Sequence, residues 1–252
     1  MKPYLSIIIP NYNEKKNLER GVLQDVANYL KTAKFSWEVI ISDDEATDGS
    51  REMIESFVKG RKGFFLLKNP HGGKASAIYA GLQKARGEVV LFSDMDQSTP
   101  LSEVEKLLPH YKEGCDVVFG SRGGMRKNAP LVRRISAYSF LTFRRLLLLP
   151  QIRDTQCGFK SMRTKVAKKI FPQMEVIQNL GNAQGWSVSA YDVELLHLAQ
   201  KKGYKLKEIP VQWQDEDTSN SKNRGSKFIK ESIDMLKQIL RVKLRDLTGT
   251  YA

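Results

Sequence analysis

The sequence Ser93-Asp94-Met95-Asp96 places two carboxylates two positions apart, directly after the apolar run Val89–Phe92. Both carboxylates reach one point if the backbone turns between them. Mg²⁺ is usually held by one or two carboxylates together with substrate phosphates, and Mn²⁺ accepts similar ligands. Taken alone, however, a D-x-D pattern more often indicates a helix cap or a stabilised turn. The context of this acidic turn therefore decides between the two interpretations.

Two further polar turns, Pro10–Glu14 and Asp43–Gly49, also follow apolar runs of the sequence. If the runs are neighbouring parallel strands, all three turns lie at the carboxyl edge of one sheet, where such sheets bind ligands. At least six acids would then share one rim of a strongly basic chain. Carboxylates at such short distances repel one another, so the rim requires cations or hydrogen-bond donors. This context favours a metal and nucleotide site.

The elements that position these turns are predicted from hydrophobic periodicity. Apolar, β-rich runs alternate with helical patterns, which predicts an α/β fold with a mostly parallel sheet covered by helices on both faces. The predicted strands are Tyr4–Ile9, Trp37–Ile41, Phe64–Leu67, Glu88–Phe92, Asp116–Phe119 and Lys205–Trp213. The predicted helices are Glu14–Lys31, Ser50–Lys59, Lys74–Ala85, Leu101–Tyr111 and Tyr191–Lys202.

The charge balance points to an anionic partner. The chain has 252 residues and a formal net charge of +13, which fits nucleic acid, an anionic membrane or phosphorylated substrates. Between Val117 and Arg153 there are eight basic residues and no acidic one. A solvated helix face is the usual explanation of a charge run, but such a face normally mixes both signs. We therefore expect the segment 122–150 to be a basic amphipathic segment that touches a membrane surface.

Two helical patterns are expected to lie at that interface. In the first, from Leu131 to Leu149, the apolar residues Leu131, Ile135, Tyr138, Leu146 and Leu149 share one side, while Arg133 and Arg144 share another, as do Arg134 and Arg145. In the second, at the end of the chain, the apolar stripe consists of Ile229, Ile233, Leu236, Leu240, Leu244 and Leu247. We predict a catalytic domain over residues 1–215, followed by a flexible loop and this helix over 216–252.

The motifs of the chain resemble a known enzyme family. Ile7–Glu14, Asp43-Asp44, His71-Gly72-Gly73-Lys74 and Asp94-Met95-Asp96 resemble, in this order, an inverting family-two glycosyltransferase with the GT-A fold, which is a Rossmann-like fold. Gly120–Arg122, Ile152–Lys160 and Tyr191–Leu196 resemble the branch of dolichyl-phosphate glucosyltransferases and dolichyl-phosphate mannose synthases. Glu208–Trp213 and Leu240–Gly249 fit the glucosyl members better. The resemblance covers nearly the whole chain.

The resemblance implies a role for each matched residue. Pro10, Tyr12 and Glu14 would line the base and ribose pocket, and Asp43 or Asp44 would accept a hydrogen bond from the base. Lys74 would lie near the nucleotide, with an exposed residue at a helix start as the equally open alternative. The catalytic residues implied are Asp94, at the ribose or sugar, Asp96, the principal metal ligand, and Asp154, near the reaction centre or in an ion pair with an arginine such as Arg153. The metal implied is Mg²⁺ or Mn²⁺.

Two departures from the family pattern leave alternatives open. Mannose synthases often carry Gln two places after the second Asp, where this chain has Ser98, with Gln97 adjacent. The third protein ligand is therefore Gln97, Ser98 or neither. The loop after Trp213 is longer than expected, so Lys222, Arg224 and Lys227 are all candidates for the diphosphate.

The acceptor phosphate candidates are Arg122, Arg133 and Arg134, because Arg binds phosphate through paired hydrogen bonds.

These implications predict hexose transfer, most simply from UDP-glucose, to a polyprenyl or dolichyl phosphate with inversion. The alternatives are a GDP-mannose donor, a soluble or polysaccharide acceptor, and a nucleic-acid-binding protein. For the last alternative, the chain lacks an RNP-type aromatic motif and zinc-finger spacing, so no specific nucleic acid is expected as a partner. Two isolated cysteines and the lack of a signal-peptide layout favour a cytoplasmic protein, peripheral at the cytoplasmic face of a membrane. The oligomeric state is not predicted.

Overall fold

A seven-stranded sheet forms the centre of the molecule. The computed structural model describes residues 2–123, 141–179, 191–214 and 225–251, with the backbone alone for 225–235. The strands of the described residues are β1 (Leu5–Asn11), β2 (Trp37–Asp44), β3 (Phe64–Asn69), β4 (Val89–Phe92), β5 (Val117–Ser121), β6 (Lys160–Arg163) and β7 (Leu206–Pro210). Each predicted strand is present, although the bounds differ by a few residues.

The strand order is β3-β2-β1-β4-β6-β5-β7. β1 pairs in parallel with β2 and β4, and β5 pairs in parallel with β7. β6 pairs antiparallel with both β4 and β5 and separates them. The predicted mostly parallel sheet is therefore confirmed, but the antiparallel strand between β4 and β5 was not predicted. Its four residues are too few and too polar to give a strand signal of their own.

Helices cover both faces of this sheet. The helices of the described residues are α1 (Lys15–Glu19), α2 (Val22–Thr32), α3 (Ser50–Val58), α4 (Lys74–Lys84), α5 (Val104–Leu107), α6 (Pro109–Lys112), α7 (described over 141–147), α8 (Thr164–Ile170), α9 (Glu175–Gln178), α10 (Tyr191–Lys201) and α11 (Gly225–Leu247). The predicted helix Glu14–Lys31 is in fact two helices, because Gly21 adopts the left-handed conformation at φ 85°. The predicted helix Leu101–Tyr111 is likewise broken, and Pro109 starts its last turn.

The side chains of β1 show how the two faces are filled. Ile8 contacts one buried cluster, whereas Ile7 and Ile9 contact the cluster on the opposite face, and all three are fully buried. A strand buried on both faces needs a continuous apolar run, since successive side chains point to opposite sides. Full burial of such a side chain contributes about 1.5–3 kcal/mol. The strands are thus rigid supports for the turns at their carboxyl ends.

The C-terminal helix α11 packs on the core mainly with residues outside the predicted apolar stripe, which was expected at a membrane interface. Ile239 and Val242 are buried, while Leu240, Leu244 and Leu247 are 50–70% exposed. The stripe inferred from the sequence therefore lies partly on the outside of the helix. Among the stripe residues whose side chains are described, Leu236 packs against the core. Periodicity alone cannot say which of two neighbouring apolar rows meets the protein.

Helix α7 also departs from its predicted pattern. Leu146 is 78% exposed, whereas Leu149, predicted on the same side, lies beyond the end of the helix and is fully buried. Arg144 was expected on a basic face with Arg133, but it is 1% exposed. Its guanidinium donates to the carbonyl oxygens of Ile152 and Arg153, at 2.8 and 2.9 Å. Arg144 thus stabilises the backbone of the following loop and does not belong to a basic surface.

The predicted boundary between the catalytic domain and the C-terminal part, at residues 215/216, falls within 215–224, which lie outside the described residues. The division into two parts therefore stays a prediction. The end of α11 is nevertheless tied to α10. Asp246 accepts from Lys201 at 2.6 Å, and the buried hydroxyl of Tyr251 donates to Glu194 at 2.7 Å. Among the described helices, none has the length and hydropathy needed to cross a bilayer.

Candidate nucleotide-sugar site

The acidic turn follows β4 directly and has a defined shape. The amide of Ser93 donates to Ile8 at 3.1 Å, which extends the ladder with β1 by one residue. Met95 is 2% exposed, so the buried side chain between the two acids anchors the turn. Asp94 and Asp96 flank it and are partly exposed. The turn therefore holds two carboxylates at the rim of the sheet because the residue between them is in the core.

Lys74 lies at this acidic turn. Its Nζ is 2.5 Å from Oδ1 of Asp94. Lys74 is the first residue of α4 and follows Gly73, whose φ of 83° suits glycine. Burial by itself would lower the pKa of Lys74, but the charges of Asp94, Asp192 and Asp96 outweigh it and raise that pKa. Lys74 is thus a permanent cation among carboxylates and not a solvated residue at a helix start.

Asp43 and Asp44, at the end of β2, are buried and already hydrogen-bonded. The two oxygens of Asp43 accept from Asn11 and Arg51, each at 2.6 Å. The Asp44 carboxylate accepts from the amides of Gly72 and Gly73, at 2.8 and 2.9 Å. These bonds fix the two loops beside the acidic turn. Each carboxylate oxygen has a second lone pair and can accept a further hydrogen bond. A contact of either aspartate with a base therefore stays a prediction.

The residues predicted for the base and ribose pocket lie at the end of β1. Pro10 is half-buried within the strand. Tyr12 is 47% exposed and stacks on His71, with ring centroids 4.6 Å apart. Glu14 accepts a hydrogen bond from Asn17 at 2.5 Å. The Tyr12–His71 pair provides an aromatic surface on the same rim as the acidic turn, which suits the stacking of a flat ring.

The oxygens of the acidic turn fit a hard divalent cation. Asp96 Oδ1 accepts from the amide of Ser98 at 2.8 Å, which orients its carboxylate. Gln97, at φ 51°, turns its amide nitrogen back to Asp94 O at 2.7 Å. Within the described residues no three His, Cys, Asp or Glu side chains form a preformed metal cluster. Two carboxylates alone suit a metal whose remaining ligands come from substrate phosphates and water.

A second polar cluster joins Arg122, after β5, to Asp154. Arg122 donates to Asp154 through its backbone amide at 3.0 Å, Nε at 2.7 Å and Nη2 at 2.9 Å. Although burial alone would raise the pKa of Asp154, the hydrogen bonds and charge of Arg122 lower it. Asp154 therefore pairs with Arg122 and not with Arg153, whose amide donates to Glu208. The guanidinium of Arg122 also lies 5.5 Å from the ring centroid of Trp213.

The remaining predicted residues cannot be placed with these clusters. Arg133, Arg134, Lys222 and Arg224 lie outside the described residues, and for Lys227 only the backbone is described. Their roles at the acceptor phosphate and the diphosphate stay predictions.

Sequence reasoning missed two basic residues that pair with aspartates beside the site, of which one is buried. Lys160, in β6, is 1% exposed and its Nζ lies 2.6 Å from Asp192 Oδ1, at the start of α10. Arg51, in α3, holds Asp43. A lysine inside the run Phe159–Met162 is a signal that a buried partner exists, because an unpaired buried charge is costly. Arg51 follows an ordinary helix start and gives no such signal.

The comparisons with known proteins agree with this geometry. Residues 6–171 match the family described as glycosyl transferase family 2. The chain belongs to glycosyl transferase family 2. The matched range contains the acidic turn, Lys74 and the Arg122–Asp154 pair. In this family-two glycosyltransferase, α10 and α11 follow the matched range.

Several relatives are similar over most of the chain. A dolichyl-phosphate beta-glucosyltransferase of Trichomonas vaginalis is 35% identical over 93% of this chain and 72% of its own length. Those of Dictyostelium discoideum and Saccharomyces cerevisiae are 33% and 31% identical, each over 98% of this chain and 76% of their own length. The similarity of this glycosyltransferase to these relatives continues beyond residue 171, where the family match ends.

Solved structures show the fold of this glycosyltransferase in other proteins. Glucosyl-3-phosphoglycerate synthase from Mycobacterium tuberculosis, in complex with Mn²⁺, UDP and glucosyl-3-phosphoglycerate, has a TM-score of 0.67 at 16% identity, over 96% of this chain and 80% of its own. A Pyrobaculum calidifontis mannosyltransferase in complex with GDP-Man and Mn²⁺ has a TM-score of 0.61 at 15% identity, over 96% and 65%. The predicted GT-A fold is therefore confirmed.

Proposed function

We propose that this glycosyltransferase moves glucose from UDP-glucose to dolichyl or another polyprenyl phosphate and gives a β-linked lipid-phosphate sugar. The observation that carries the proposal is the pair of carboxylates at the acidic turn with Lys74 2.5 Å from Asp94. Support for the substrates comes from relatives at 30–35% identity that are named dolichyl-phosphate beta-glucosyltransferases. The basic segment after β5 supports an anionic acceptor.

The donor would bind across the rim. Asp96 and Asp94 would hold Mg²⁺ or Mn²⁺, with Gln97 as a further oxygen ligand, and Tyr12 would face the base. The metal would neutralise the negative charge of the diphosphate as it leaves. Lys74 would lie beside the nucleotide and hold a positive charge next to Asp94. Lys222, Arg224 and Lys227 are proposed to contact the diphosphate from the segment before α11.

The acceptor needs positioning more than activation. A phosphate monoester is ionised near neutral pH, so its oxygen attacks without a general base. The new bond joins that oxygen to the anomeric carbon, and the bond from this carbon to the nucleoside diphosphate breaks on the opposite side, which inverts the configuration. Arg122, held in place by Asp154, is proposed to orient the acceptor phosphate together with Arg133 and Arg134.

The membrane surface is proposed to face the exposed apolar residues of α11. Leu240, Leu244 and Leu247 point outward on one side of the helix, and Lys237 and Arg241 are exposed on the same side. Apolar residues beside cations suit the interface of an anionic bilayer. Phe143 and Leu146 of α7 are exposed too, at 49% and 78%. Association at the cytoplasmic face would bring the lipid phosphate to the rim.

A transfer assay tests the proposed reaction. UDP-[¹⁴C]glucose and GDP-[¹⁴C]mannose are each offered with dolichyl phosphate and Mn²⁺ or Mg²⁺, and the label in the organic phase is counted. We expect lipid-linked label from UDP-glucose that is lost with EDTA. Label from GDP-mannose alone would reassign the donor, and transfer only to a water-soluble acceptor would refute the lipid acceptor.

A flotation assay with vesicles of mixed phosphatidylcholine and phosphatidylserine tests the proposed surface. The double variant Leu244→Ser/Leu247→Ser should float less than the wild type. The matched control is Phe65→Ser, which removes a 46% exposed aromatic residue from edge strand β3. Equal flotation of all three proteins would exclude α11 as the membrane contact.

A further inference from the structure

The acidic turn lies opposite a glycine of the neighbouring strand. β4 and β6 are antiparallel, with Phe92 paired to Lys160 and Val89 to Arg163. Extending this register by two residues beyond Phe92 places Asp94 opposite Gly158. Cross-strand neighbours in an antiparallel pair lie about 4.5–5.5 Å apart at their Cβ atoms. A residue with any side chain at 158 would therefore share the space of Asp94.

The contact leaves no room for a Cβ atom at residue 158. An alanine Cβ would lie 2.6 Å from Cγ of Asp94 and 2.9 Å from its Oδ1, and closer still to Oδ2. Real Cβ atoms essentially never come within 3.0 Å of another heavy atom. Oδ1 of the same carboxylate also lies 2.5 Å from Lys74 Nζ. The carboxylate is thus held between a cation and the bare backbone of Gly158.

The backbone on both sides of this contact is anchored. The carbonyl of Phe159 accepts from the amide of Gly120 at 2.8 Å, and the carbonyl of Asp94 accepts from Gln97 Nε2 at 2.7 Å. An added Cβ at 158 would therefore displace the carboxylate of Asp94 before it displaced either strand.

The carbonyl of Cys157 is held by the Nζ of Lys160. Lys160 is fixed in turn by its buried ion pair with Asp192. Breaking such a pair is costly, because it leaves one charge buried without its partner. This pair explains why a buried lysine stands at the start of β6, and it fixes the peptide between Cys157 and Gly158.

We propose that Gly158 is a positioning residue for the donor site: its lack of a side chain sets the place of the Asp94 carboxylate. The inference rests on the proposed function, in which Asp94 contacts the metal and the nucleotide-sugar. It also gives a role to Lys160, whose bond to the Cys157 carbonyl fixes the peptide that precedes Gly158. Any larger residue at 158 would move Asp94 away from Lys74 and from the donor.

The test compares Gly158→Ala with the wild type by isothermal titration of UDP in the presence of Mn²⁺. We expect a Kd at least about 10-fold higher for the variant. The melting temperature should fall by only about 1–4 °C, since a partly exposed ion pair is lost and the core is unchanged. The matched control is Gly81→Ala in α4, whose Cβ would meet Cγ2 of Ile8 at 2.7 Å. This control crowds the core without touching an acid, so its Kd for UDP should stay within about 2-fold of wild type.

A double-mutant cycle shows whether Gly158 acts through Asp94. In an Asp94→Ala background the carboxylate is gone, so Gly158→Ala should neither weaken UDP binding further nor lower the melting temperature. A loss that is the same in both backgrounds, or a wild-type Kd for Gly158→Ala, would overturn the inference. If the wild type binds no UDP with Mn²⁺, the proposed donor is wrong. The melting temperatures of the cycle then decide the role of Gly158 independently.

Discussion

The ion pair between Arg122 and Asp154 allows a quantitative prediction. Both side chains are mostly buried, at 27% and 14% exposure. Truncation in Arg122→Ala removes the hydrogen bonds from Nε and Nη2 and leaves Asp154 with the amides of residue 122 and Gln156. Breaking a fully buried pair costs about 3–5 kcal/mol. Because this pair is partly exposed and two bonds to the carboxylate remain, we expect a loss of about 2–3 kcal/mol in the free energy of unfolding.

The pH dependence of this loss has a definite sign. Burial by itself would raise the pKa of Asp154, but Arg122 lowers it below the ordinary value of about 3.9. The pair therefore contributes its full stability above pH 4 and loses it as the pH falls through the lowered pKa. The difference between wild type and Arg122→Ala should be largest near neutral pH and shrink below about pH 4.

Urea unfolding of wild type, Arg122→Ala, Asp154→Asn and the double variant measures these energies. The double variant should be less destabilised than the sum of the single variants by about 1–2 kcal/mol, since the two side chains share one interaction. Strict additivity, or a loss below about 0.5 kcal/mol for Arg122→Ala, would show that the pair is only a surface contact. In the transfer assay, Asp154→Asn should lower kcat and leave the KM for UDP-glucose nearly unchanged, because the pair is proposed to orient the acceptor and not the donor.

The other predictions concern the acidic turn, the far end of β2 and the C-terminus. Asp96→Ala should reduce transfer by at least about 100-fold with a melting temperature near that of wild type, because the proposed metal ligand is lost and the core is not touched. Activity near wild type would exclude Asp96 as a metal ligand. Glu38→Gln should cost about 1–3 kcal/mol in urea unfolding, since Glu38 accepts from Ser6 and three times from Arg86. Although burial alone would raise the pKa of Glu38, these bonds lower it. The destabilisation by Glu38→Gln should therefore shrink below about pH 4. A destabilisation that does not depend on pH would contradict the ion pair. Tyr251→Phe should cost about 1–3 kcal/mol and speed proteolysis within α11, since Glu194 loses a buried donor; unchanged proteolysis would mean that this bond does not hold the helix end.

Much of the fold could be predicted from the sequence, because parallel strands buried on both faces require long apolar runs. Ile7, Ile8 and Ile9 are such a run, and all three are buried. The acidic turn could be found for the same reason, since the carboxyl ends of parallel strands share an edge. Which apolar row of α11 meets the protein could not be predicted, since two rows have the same period and only packing distinguishes them.

The chemistry at the rim follows from the order of the residues alone: two carboxylates come after a buried strand, beside other acidic turns in a basic chain. The partners that meet these groups depend on how distant segments come together in the fold. Lys74 reaches Asp94 because α4 begins at the same edge, and Arg122 reaches Asp154 across 32 residues. Gly158 faces Asp94 because β6 inserts antiparallel beside β4. Such pairings depend on register between distant segments, and local periodicity holds no information about register.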